Sequence, residues 1–71
     1  MVRLTLPYTI HEHPESFEIR SADGIKLAYV YYEEEPTRRS LQGRLTKAEA
    51  KRAAEIMAAA MEKARKEKGA P

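Results

Sequence analysis

Two imidazoles, His11 and His13, lie on one face of an extended segment, and Glu18 falls directly across from His11 if Pro14 and Glu15 close a hairpin. Two histidines and a carboxylate are a partial ligand set for a divalent metal. A closed zinc site takes four ligands, and none of the recognised motif spacings is present. No metal is therefore expected, and the group reads as an exposed His–Glu contact.

Other catalytic chemistry is poorly supplied. With Cys 0 in the chain there is no thiol nucleophile, disulfide or thiolate site. Ser16, Ser21 and Ser40 lie in no nucleophile elbow, and Glu33-Glu34-Glu35 is a solvated run ahead of Pro36, not a carboxylate pair in a pocket. A chain of 71 residues also leaves little volume for a cleft. No enzyme activity, cofactor or small-molecule substrate is expected. The lack of cysteine suits a reducing cytoplasm, and no segment approaches the roughly 20 apolar residues of a membrane span.

Charge is distributed unevenly. Residues 1 to 36 hold three Lys/Arg against seven Asp/Glu, whereas residues 37 to 71 hold ten against four, so −4 and +6 give the net +2. Complementary halves within the fold or between protomers explain this most simply. The sharper alternative is nucleic acid. Arg38, Arg39, Arg44, Lys47, Lys51 and Arg52 gather on a loop and the first turns of a helix, where cations and amide groups can meet phosphates. Glu18 beside Arg20, and Glu33 to Glu35 beside the arginines, weigh against that alternative.

The elements that position these residues follow from pattern. Pro14-Glu15 and Asp23-Gly24 are turn signals that divide the first half into strands at about residues 5–13, 16–21 and 25–32. A two-residue first loop pairs Ile10 with Ile19, Glu12 with Phe17 and Tyr8 with Ser21. Tyr8, Ile10, Phe17 and Ile19 then share one face, opposite Thr9, His11, His13, Glu18 and Arg20. A polar loop over residues 33–45 leads to Thr46-Lys47-Ala48-Glu49, a capping box, and to a helix over about 47–68. Connections as long as that loop are functional or mobile. Ala50, Ala53, Ile56, Met57, Ala60, Met61 and Ala64 form the helix face expected to cover the sheet. The helix outruns the strands, at roughly 33 Å against about 23 Å, and Glu62–Lys66 and Lys63–Glu67 are expected pairs on its overhang. The fold class is α+β in a single domain spanning 1–71: a three-stranded antiparallel sheet on one long C-terminal helix.

The third strand breaks the tidy alternation. Ile25 to Tyr32 is apolar on both faces, and near-continuous apolar runs belong to strands covered on two sides. A three-residue loop with a bulge at Gly24 sets Phe17 opposite Tyr29 and Ile19 opposite Leu27. It leaves Ala28, Val30 and Tyr32 outside. A two-residue loop sets Phe17 opposite Val30 and Ile19 opposite Ala28, leaving Leu27, Tyr29 and Tyr31 outside. The first register buries the larger side chains and is the one expected. In either register the set facing away from the helix is an interface with a second copy or another protein.

A resemblance accompanies these residues. His13 to Ile19, Ala22-Asp23-Gly24, Leu27-Ala28-Tyr29-Val30-Tyr31, Glu35-Pro36, Arg38-Arg39, Leu45-Thr46 and Glu49-Ala50 resemble a family of small bacterial proteins in which a "DA-G--LAYVY" strand leads to an "LT-DEARRIA" helix. The resemblance spans roughly residues 8 to 57 and brings no activity with it. After Met57 an alanine and Lys/Glu-rich extension departs from the pattern and is either native or an engineered helix built from strong helix formers. The three-stranded sheet on a helix also resembles the integrase-type DNA-binding architecture, in fold alone. The expected role is a small interaction module that associates with itself through the third strand; the alternative is a small nucleic-acid-binding regulator.

Overall fold

The computed structural model describes residues 5–69, and the side chains through residue 65. Three strands, β1 (Thr9–Glu12), β2 (Ser16–Arg20) and β3 (Lys26–Tyr31), are followed by two helices, α1 (Pro36–Gln42) and α2 (Lys47–Gly69). The sheet is antiparallel with order β1-β2-β3, so the middle strand in sequence is also the middle strand in space. No described helix is long and apolar enough to cross a membrane.

The first hairpin has the expected register, with Ile10 opposite Ile19 and Glu12 opposite Phe17. β1 is shorter than expected. Pro7 has no N–H for a ladder, and Tyr8 leaves the strand while its ring still enters the core. The backbone N–H of Tyr8 is satisfied instead by the Glu62 carboxylate of α2, at 2.8 Å.

The second hairpin corrects the expected register in an instructive way. Ser21 donates to the Ile25 carbonyl at 2.9 Å and Arg20 faces Lys26, as a three-residue loop requires, with Gly24 at φ 87 where a side chain would be strained. One step later the ladder shifts, so that Ile19 faces Ala28, Phe17 faces Val30 and Ser16 faces Tyr31. Leu27 is the extra residue of this bulge and packs toward the core. Ala28, Val30 and Tyr32 therefore sit on the helix side, and only Tyr29 and Tyr31 stay outside.

The core lies between the sheet and α2. Tyr8, Phe17, Ile19 and Tyr32 meet Ala50, Ala54 and Ala58, with Met61 packed at the edge. The Phe17 and Tyr32 rings, 5.3 Å apart between centroids, fill the space, so the helix contributes small side chains at spacing four. This corrects the expected helix face. Ala50 and Met61 belong to it, but Ala54 and Ala58 take the places assigned to Ala53 and Met57. Ile56, Met57, Ala60 and Ala64 are exposed. The capping box forms as expected: the Glu49 N–H donates to Thr46 Oγ1 at 3.1 Å, and Thr46 N–H to Glu49 Oε1 at 2.9 Å. Glu62 is engaged by Tyr8, and its expected partner Lys66 has a side chain outside the described residues, as does Glu67.

The connection expected as a loop holds α1. Glu35 is its N-cap, its carboxylate accepting from the Arg38 N–H at 2.6 Å, and Pro36 opens the first turn with its dihedral preset. Gly43 closes it at φ 65, donating to the carbonyls of Arg39 and Ser40. None of its residues is buried. Beyond it, Leu45 forms a parallel bridge to Tyr32 and accepts from the Glu33 N–H at 2.9 Å.

Candidate interaction surface

Two surfaces converge on β3: its free edge and the sheet face opposite α2. Among the described residues, the strand order leaves one side of β3 without a neighbouring strand. Tyr32 points its N–H inward to the Glu15 carbonyl, at 3.0 Å, so the backbone groups of Tyr29, an odd number of residues away, point to the free side. Leu45 covers the C-terminal end of this edge and leaves Lys26 to Tyr29 open. Edges of this kind are commonly guarded by inward charges, proline or very short strands. Lys26 is the sole charge in β3, at its first residue.

Apolar side chains border that edge. A groove of about 440 Å³ runs between β3 and α2, lined by Tyr29, Val30, Tyr31, Leu45 and Met57 along with the turn at Gln42 to Arg44. Met57 is 39% exposed, and its neighbour Ile56 is exposed as well. Spacing alone put Met57 and Ile56 in the core. Their actual position follows from the alanine stripe that α2 turns toward the sheet.

The open face is built differently. Glu18, on the central strand, is 0% exposed although none of the described helices or strands lies over it. Its Oε1 accepts from Arg20 Nη2 at 2.9 Å and lies 2.6 Å from His13 Nε2. The Arg20 hydrogen bond, opposed by burial and aided by His13, lowers its pKa from 4.5 to about 2. The other oxygen, Oε2, and Arg20 Nε are buried without a hydrogen-bond partner among the described residues. His11, expected across from Glu18, does face it in the ladder but hydrogen-bonds Thr9 Oγ1 at 2.8 Å. Among the described residues, no three His, Asp or Glu side chains are gathered to hold a metal.

Beside Glu18 stand the two outward tyrosines. Tyr29 and Tyr31 are 44% and 47% exposed, their rings 6.3 Å apart at 22°. Arg44 lies over the Tyr31 ring at 4.9 Å from its centroid and 3.7 Å from the Glu15 carboxylate. No family model, no curated protein and no solved structure matches this chain.

The six cations singled out in the sequence do not form one patch of uncommitted charge. Arg38 pairs with Glu33 at 3.3 Å, and Arg39 donates to the carbonyls of Glu33 and Glu34. Arg44 is on Tyr31 and Glu15. Lys47 reaches Glu12 at 2.9 Å, a contact that raises its pKa. Arg52 lies 4.0 Å from Glu55, at the limit of an ion pair, and Lys51 is exposed on α2. The acidic run expected to be solvated is the partner of much of this charge: Glu33 and Glu35 are both held below the usual carboxylate range, chiefly by hydrogen bonds from the backbone N–H groups of Glu35 and Arg38 respectively.

Proposed function

We propose that the protein is a small interaction module that associates with a second copy of itself along the β3 edge. The observation that carries this reading is an edge strand with outward backbone groups, bordered by the exposed side chain of Met57 and by Leu45. Two β3 strands meeting antiparallel about a two-fold axis normal to the sheet place residues equally spaced on either side of the axis opposite one another, so the same open stretch serves both partners. The sheets join into one of six strands with both α2 helices on the same side. The modest core adds motive: of the seven buried apolar residues among those described, three are alanines, and domains of this size gain much from oligomerisation.

Sedimentation equilibrium over a concentration series tests the reading. The wild-type chain shows a reversible monomer–dimer equilibrium. Met57→Glu places a charge in the shared groove and shifts the chain to monomer. Tyr29→Pro removes an N–H that faces the free edge, sparing the ladder to β2, and has the same effect. A wild-type chain that stays monomeric at millimolar concentration sinks the proposal.

A further inference from the structure

The open sheet face carries a second inference, beyond self-association. We infer that Tyr29 and Tyr31, with Lys26, Arg20 and Arg44 around them, form a stacking platform for a short single-stranded nucleic acid. Of the helix and loop cations that the sequence put forward, this surface shares Arg44 alone.

Three observations support it. The first is the pair of exposed tyrosine rings, on adjacent outward positions of one strand. Sheet-borne aromatics of this kind give bases a flat surface whatever their sequence. The second is the withdrawal of the carboxylate that counted against nucleic acid. Glu18 is buried beneath the face, while the Arg20 and His13 side chains that cover its charge remain 32% and 37% exposed. A backbone phosphate near the centre of the face therefore meets the cation and not the carboxylate.

The third is charge complementarity around the rings. Lys26 is exposed at one end of the tyrosine row, and Arg44 borders the other while stacked on Tyr31. Lys26, Tyr29 and Tyr31 also line one continuous groove with His13 and Glu18. Glu15 is the one carboxylate of this groove that reaches solvent, and Arg44 sits 3.7 Å from it. A strand of alternating flat bases and phosphates matches aromatic centres flanked by cations.

Fluorescence anisotropy with labelled oligo(dT) and oligo(rU) of about 8 nucleotides, a length within the usual site size, tests this at about 50 and 200 mM salt. Saturable binding that weakens with salt is expected. Tyr29→Ala and Tyr31→Ala each lower affinity by about 5- to 150-fold, the range for loss of one base stack. Tyr29→Phe and Tyr31→Phe keep binding, which separates stacking from any loss of fold. Lys26→Gln makes the salt dependence shallower by about one charge. Absence of salt-dependent binding to either oligonucleotide overturns the inference. So does binding that the alanine variants leave unchanged, or a face that takes an acidic peptide and no oligonucleotide.

Discussion

Glu18 and Ile19 are neighbours on β2, both 0% exposed, and they reach that state by opposite means. Ile19 is covered by another element: α2 lies over it, with Phe17, Tyr32 and the alanines of the helix around it. Glu18 points the other way, toward a face that none of the described elements overlies, and is covered by its own neighbours on the sheet. One face is dry because a helix excludes water from it. The other is closed locally, by a carboxylate holding Arg20 and His13 down over itself. Burial on the first face is driven by apolar area; on the second it depends on charge and on protonation.

That contrast can be broken most forcefully on the helix side. Ile19→Ala should cost about 2–5 kcal/mol, read as a lower denaturant midpoint at unchanged slope, because α2 cannot follow the lost methyl groups into the sheet. Ala54→Leu, which puts a larger side chain at a fully buried position of the helix face, should cost about 1–3 kcal/mol through overpacking in the same assay.

Effects on the open face are smaller and depend on pH. Because the Glu18 pKa is lowered to about 2, its contribution to stability is complete above the ordinary 4.5 and is lost as pH falls from there toward 2. Glu33, Glu35 and Glu49 are lowered too, so the wild-type chain loses stability throughout this acid range. Glu18→Gln should make that loss shallower; denaturation midpoints that fall equally steeply in both proteins would remove the account of the open face given above. The smallest effect is His13→Gln, under about 1 kcal/mol, since the imidazole is partly exposed and Arg20 still holds the carboxylate.

What could be read from the chain was whatever short-range chemistry decides. Pro14-Glu15 set the first hairpin and its register, and Thr46 with Glu49 marked the start of α2, because both signals act within a few residues. α1 was legible only in part. Pro36 and Gly43 bracket it, but its N-cap is Glu35, whose longer side chain makes a weaker signal than Ser, Thr, Asp or Asn. Glu18 looked like one more polar residue on a solvated face. Nothing in its spacing tells that His13 and Arg20 converge on it.

The apolar third strand shows where the division falls. By itself the sequence determined three strands, a capped helix and a strand with more apolar surface than one core could use, since turns, caps and periodicity are local properties of the chain. Tertiary structure alone decided which side chains that surplus exposes. A single extra residue at Leu27 turned Ala28, Val30 and Tyr32 inward and left Tyr29 and Tyr31 outside, and a one-step rotation of α2 brought alanines to the sheet and put Met57 at its edge. Both choices depend on how two elements fit together, and many faces of similar composition compete until packing selects one.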